Sequence, residues 1–139
     1  MRLDELVHAQ LAPFIEEDQE RLEMNGPPVA VTREAVQTLG LALHELATNS
    51  SKYGALSVPE GKIVLQWKFY EDIPEPECFR VIWREHGGPT VKPPMRKGFG
   101  SFVLGKMMKQ GLNANVNIDF APAGVIWTLS MPASYAARE

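Results

Sequence analysis

The chain has 139 residues, enough for one domain with a core of its own and no need of disulfide or metal staples. Hydrophobic residues make up 45% and charged residues 22%, and the net charge is −3, which excludes wholesale disorder and a broad basic field for nucleic acid. The single cysteine, Cys78, can form neither an internal disulfide nor a cysteine zinc site, and no apolar run approaches the ~18 residues of a membrane helix.

Met1-Arg2-Leu3-Asp4-Glu5 leads into a charged amphipathic stretch rather than a signal peptide, so a cytoplasmic domain without membrane contact is expected. Leu3, Leu6, Val7 and Leu11 recur at helical spacing, and Pro13 predicts a helix end nearby. Arg21-Leu22-Glu23-Met24 alternates and reads as a short strand before the Asn25-Gly26-Pro27-Pro28 turn. Thr32 is a good N-cap for a long helix reaching Tyr53, with Val36, Leu39, Leu43, Leu46 and Ala47 as its apolar stripe. Gly54 stands where a left-handed C′ glycine is expected. Residues 63–70 and 79–85 are strands joined by a hairpin loop over 71–77. Residues 86–100, rich in glycine and proline, predict a mobile loop. Ser101 caps a helix running to Gln110, and strands 115–120 and 125–131 close the chain around Ala121-Pro122-Ala123-Gly124. No repeat or interdomain linker interrupts this order, so residues 1–139 are expected to form a single α+β domain. Its architecture is a two-layer α/β sandwich, with helices on one face of a mixed sheet.

With His44 set at zero, Glu45 falls near about 100°, Asn49 near about 140° and Lys52 near about 80° around the long helix. These three share a polar arc away from the apolar stripe. A carboxylate, a carboxamide and an ammonium can there converge on one object, the carboxamide oxygen suiting a hard cation such as Mg²⁺ and the ammonium a phosphate. On this helix alone a plain solvated face explains the same pattern. A zinc-protease helix is excluded, because position 48 is Thr48 rather than a second histidine. The Asn49-Ser50-Ser51 sequon lies within the helix and is discounted.

Gly98 and Gly100 stand at the N-terminus of the next helix, where main-chain N–H groups and the helix dipole suit phosphate, and Lys92, Arg96 and Lys97 add charge. Neither a Walker lysine nor a GxGxxG run is present, and a surface loop with a glycine hinge fits the same residues. Glu85 ends a strand two residues after Trp83, on the same side, where a buried carboxylate could accept from an exocyclic amine. Trp67, Trp83 and Trp127 read as core.

Taken together, three stretches resemble the ATP-binding catalytic domain of HWE-family sensor histidine kinases, within the GHKL ATPase superfamily. The run His44-Glu45-Leu46-Ala47-Thr48-Asn49-Ser50-Ser51-Lys52-Tyr53-Gly54-Ala55-Leu56-Ser57 resembles that family's N box. Trp83-Arg84-Glu85-His86-Gly87-Gly88-Pro89 resembles its W-x-E box, and Gly98-Phe99-Gly100-Ser101 its second glycine box. The resemblance spans nearly the whole chain.

It implies a Bergerat fold holding ATP between the long helix, the W-x-E strand and the loop, which becomes an ATP lid. By position, Asn49 would hold Mg²⁺ and Glu45 would be the base-like residue near the transferred phosphate. Lys52 and Tyr53 would line the phosphate and ribose side. Glu85 would read the adenine amino group and Gly87 would let main chain approach the base, with Gly88 grouped among the ATP-binding residues. Gly98 and Gly100 would let the lid close and offer N–H groups to phosphate, with Phe99 and Ser101 grouped among the ATP-binding residues, and Thr128 would reach adenine through water. His44, the characteristic histidine of the N box, is grouped with the nucleotide-binding residues. The implied reaction is γ-phosphoryl donation to a histidine in two-component signalling, with a phosphoacceptor domain and a downstream response regulator as partners.

The family's acceptor motif places asparagine four residues after its histidine, and none of the three histidines here fits: His8 is followed at that spacing by Ala12, while His44 and His86 lie in other boxes. The chain is therefore expected to be the catalytic domain alone, binding ATP without autophosphorylating. A GHKL regulatory module, a protein-serine kinase or ATPase without histidine transfer, and an interaction domain with a dead pocket are the alternatives.

Overall fold

The computed structural model describes residues 1–71, 77–92 and 99–139. Helix α1 (Leu3–Ile15) is capped where Arg2 N–H donates to Glu5 Oε1 at 3.2 Å, and it buries Leu3, Leu6, Val7, Leu11 and Ile15. It ends at Ile15, close behind Pro13, as the proline predicts. The ring lies on the exposed side of the last turn, and burial of Ile15 outweighs the one hydrogen bond that proline cannot make. A 3-10 turn (Gln19–Arg21) leads into strand β1 (Leu22–Asn25). Strand β2 (Val29–Val31) pairs antiparallel with strand β7 (Ala136–Arg138), and the sequence pattern predicts neither.

Helix α2 (Arg33–Tyr53) begins where Thr32 accepts from Ala35 N–H at 3.3 Å. It buries Ala35, Leu39, Ala42, Leu43, Leu46, Ala47 and Ser50, with Val36 only half-buried. Gly54 caps it, but at φ −118°, an extended value rather than the expected left-handed one. The need for glycine here comes from a close approach instead: an added Cβ would overlap Glu85 Oε1.

Strands β3 (Lys62–Tyr70), β4 (Cys78–His86), β5 (Asn115–Ala121) and β6 (Gly124–Pro132) join β1 in a five-stranded sheet of order β1-β3-β4-β6-β5. The β1–β3 pair is parallel and the others antiparallel, so the sheet is mixed, as expected. Ile63, Leu65, Trp67, Phe79, Val81, Trp83, Trp127, Leu129 and Met131 alternate along the three central strands and face the helices. All three tryptophans are core, and each indole N–H finds an acceptor: Pro27 O, Glu85 Oε2 and Leu104 O.

The helix expected from Ser101 to Gln110 is two. Helix α3 (Phe99–Leu104) starts two residues earlier, so Ser101 lies inside it, and helix α4 (Lys106–Leu112) follows a break at Gly105. The break frees the Leu104 carbonyl, which accepts from Trp127 Nε1 at 3.1 Å. Helix α2 packs between α1 on one flank and α3 and α4 on the other, above the sheet. The loop expected over 71–77 and the one expected over 86–100 lie in part (72–76 and 93–98) outside the described residues. Among the described residues no helix is long and apolar enough to cross a membrane.

Candidate functional site

Glu85 closes the inner face of β4 and is only 6% exposed. A buried carboxylate must be matched by donors, and three reach it. Ser50 Oγ and Ala55 N–H donate to Oε1, each at 2.9 Å, and Trp83 Nε1 donates to Oε2 at 3.0 Å. A carboxylate offers about four lone-pair positions, so Oε2 keeps room for one further donor. Trp83 precedes Glu85 by two residues and therefore shares its face of the strand. The indole thus both fills the core and orients the carboxylate.

The surrounding main chain comes unusually close. Gly87 adopts a left-handed φ of 73°, and a Cβ there would press on Glu60 O. Gly88 lies against Ala55, and Gly124, at the start of β6, lies against Glu85 O. Val91 N–H donates to Pro122 O at 3.1 Å, tying the strand exit to the β5–β6 turn. Lys92 follows and is exposed.

On α2, Glu45 and Asn49 are half-buried, and neither side chain has a hydrogen bond or ion pair among the described residues. Thr38, Glu45 and Asn49 fall within about 40° of one another around the helix. Thr38 approaches Gly111 of α4, so this edge faces the α3–α4 flank. Asn49 adjoins Ser50, which binds Glu85, so the same stretch of helix carries both these oxygen-bearing side chains and the link to the buried carboxylate. Lys52 is exposed one turn further on, and Tyr53 is 74% exposed at the helix end.

Two expected members are not brought to this cluster. His44 lies on the opposite flank of α2, where its ring meets Phe14 of α1 edge-on at 6.4 Å. One residue before Glu45, it is turned away by about 100°. Thr128 pairs with Ile82 and Asn117, and its neighbours Trp127 and Leu129 are the residues that face the helices. Strand alternation therefore puts Thr128 on the far face of the sheet. Phe99, Gly100 and Ser101 form the first turn of α3, beside α2, while Gly98, Arg96 and Lys97 lie outside the described residues.

Sequence reasoning missed Ser50 and the Ala55 N–H as partners of Glu85. A signal for Ser50 was present: at about 100° per residue it falls in the middle of the apolar stripe of α2. A serine there is a hydroxyl obliged to find a buried partner.

A search of protein-family models finds no match. Among curated proteins, the chain is 36% identical over 130 residues to a blue-light-activated histidine kinase of Brucella ovis, covering 94% of this chain and 26% of that protein. A protein of the same name from Brucella anthropi matches to the same extent. The chain thus spans about a quarter of the length of the curated relatives it matches. Among solved structures, the histidine kinase domain of an Erythrobacter litoralis blue-light activated histidine kinase superposes with a TM-score of 0.67 at 22% identity, covering 95% of this chain and 63% of that one. The mycobacterial sensor histidine kinase MprB gives 0.64 at 16% identity, covering 95% of each chain. The chain therefore shares its α+β fold with histidine-kinase catalytic domains and is homologous to part of proteins named histidine kinases, in agreement with the resemblance carried by its N, W-x-E and second glycine boxes.

Proposed function

We propose that this chain is the ATP-binding catalytic domain of a histidine kinase, one domain of a two-component signalling protein acting in the cytoplasm. The observation that carries the reading is Glu85: a buried carboxylate, oriented by three protein donors, with one acceptor position left, and held by Ser50 of the same helix whose Glu45 and Asn49 have no side-chain partner among the described residues.

Each residue then has a task. Glu85 accepts from the exocyclic amine of adenine. Tyr53, largely exposed at the end of α2, lines the ribose side, and Lys52 meets phosphate as a point charge. The first turn of α3 offers main-chain N–H groups to the phosphates. The Asn49 carboxamide oxygen fits a hard cation that keeps most of its water and phosphate ligands, and Mg²⁺ held there would neutralise charge on the phosphates. Glu45, on the same edge, is the base-like group beside the transferred phosphate. The reaction forms a bond from an imidazole nitrogen of the acceptor domain to the γ-phosphorus and breaks the bond to the β-phosphate oxygen, with ADP leaving. Such transfer depends on positioning and charge stabilisation. The acceptor histidine belongs to a separate phosphoacceptor domain, which passes the phosphoryl group on to a response regulator.

The deciding experiment titrates the chain calorimetrically with a non-hydrolysable ATP analogue, with and without Mg²⁺, then supplies a purified acceptor domain with Mg-ATP. Saturable, Mg²⁺-enhanced binding followed by acid-labile phosphohistidine on the added domain is the expected result. No binding by the folded chain would overturn the nucleotide site. Acid-stable phosphoserine on the partner would replace histidine transfer by serine kinase chemistry.

A further inference from the structure

Arg21 stands outside all three motif boxes, at the end of the Gln19–Arg21 turn just before β1. Guanidinium groups ordinarily meet carboxylates or phosphates. This one, half-buried, instead donates to three main-chain carbonyls of a single loop. Nε reaches Gly61 O at 2.9 Å, while Nη2 reaches Ala55 O at 3.1 Å and also Val58 O. That loop joins α2 to β3 and contributes the Ala55 N–H that binds Glu85 Oε1.

A second route leads to the same carboxylate. The peptide group between Ala55 and Leu56 accepts from Arg21 at its carbonyl. At its other end, Leu56 N–H donates to Ser50 Oγ at 3.0 Å. Ser50 in turn donates to Glu85 Oε1 at 2.9 Å. A cation and a buried carboxylate are thus connected through one peptide group and one hydroxyl. In a medium of low dielectric each hydrogen bond of such a chain polarises the next. Gly61 and Gly88 allow the packing, since a Cβ on either would collide with Ala55.

We propose that Arg21 is a positioning residue for the purine-reading carboxylate: it fixes the loop that follows α2 and, through the Ala55–Leu56 peptide and Ser50, orients Glu85 as an acceptor. The proposal rests on the assignment of Glu85 to adenine made above. It gives Arg21 an effect on base selectivity that a purely structural arginine lacks.

The test compares ATP with inosine triphosphate, which lacks the exocyclic amine, by calorimetry on the 139-residue chain. The quantity read is the ratio of the two dissociation constants. Glu85→Ala should lower the preference for ATP about tenfold, the scale of one charge-assisted hydrogen bond. Arg21→Lys, which keeps the charge but not the fork, should lower it about threefold in a chain that still melts cooperatively, and Arg21→Met should lower it further. In Glu85→Ala, adding Arg21→Lys should change the ratio no more. If Arg21→Met does not fold, Arg21→Lys carries the comparison. A ratio that collapses in Glu85→Ala but is unchanged in Arg21→Lys overturns the role of Arg21 alone. A ratio unchanged in Glu85→Ala overturns the adenine assignment, and the Arg21 proposal with it.

Discussion

At the scale of single residues, the site divides into groups that the protein already satisfies and groups that it leaves open. Glu85 has most of its acceptor capacity taken by Ser50, Ala55 and Trp83, whereas Asn49 and Glu45 have no side-chain partner among the described residues. The cost of an altered residue follows that division. Asn49→Ala removes no internal hydrogen bond of its side chain, so the fold should lose little, within about 0.5 kcal/mol beyond the gain in helix propensity. Its effect belongs to the metal-dependent part of binding. Affinity for Mg-ATP should fall at least ~10-fold while affinity for Mg-free nucleotide moves less than ~3-fold, as expected for loss of one hard oxygen ligand. Calorimetric titrations in magnesium and in a chelator measure both, and equal losses in the two would remove Asn49 from the metal. The polar arc of α2 was legible because helix periodicity fixes angles; the network around Glu85 was not. Ser50, Ala55 and Glu85 are joined by a contact between α2, its following loop and β4, which no local pattern encodes.

At the scale of elements, the periodic segments were the legible ones. Helices α1 and α2 and strands β1 and β3–β6 follow from their patterns to within a few residues. Strand β2 escaped because it is three residues long and owes its existence to pairing with β7, about a hundred residues away along the chain. The division of α3 from α4 escaped because the break at Gly105 is stabilised by Trp127, a residue of another element. The junction after α2 gives the sharpest case. Gly54 ends the helix as expected, but its φ of −118° is open to any residue, and the carboxylate of Glu85 is what excludes a side chain. Gly54→Ala should therefore behave as an overpacking substitution, lowering stability by about 1–3 kcal/mol. Urea unfolding should show a lower midpoint with an unchanged slope. The same variant should lose preference for ATP over inosine triphosphate, because the methyl group displaces the oxygen that the Ser50 and Ala55 donors hold. Unchanged stability would mean that the end of α2 and the tip of β4 do not approach as closely as they do here.

At the scale of the whole molecule, the proposed nucleotide site is assembled from both layers. Asn49, Glu45 and Lys52 come from the central helix and Glu85 from the central part of the sheet, while Ala55 comes from the loop after that helix and Arg21 from the turn before β1. None of these groups is in place unless helix and sheet are packed together, so a ligand of this site binds the folded chain and not the unfolded one. Binding energy then becomes folding energy by mass action. Saturation at a hundred times the dissociation constant stabilises by about 2.7 kcal/mol. For a chain of 139 residues that should raise Tm by roughly 5–15 °C. A non-hydrolysable ATP analogue with Mg²⁺ should give this full shift, and the same total concentration of analogue in chelator a smaller one, since weaker binding leaves the site further from saturation. In Asn49→Ala the two conditions should converge, because the metal no longer adds affinity. In Glu85→Ala both shifts should shrink together and the difference between them persist, because adenine recognition and metal binding use separate side chains. Differential scanning calorimetry of the three chains in both buffers reads all six values. A magnesium-dependent increment that survives in Asn49→Ala, or vanishes in Glu85→Ala, would show that the two functions are not divided between helix and sheet.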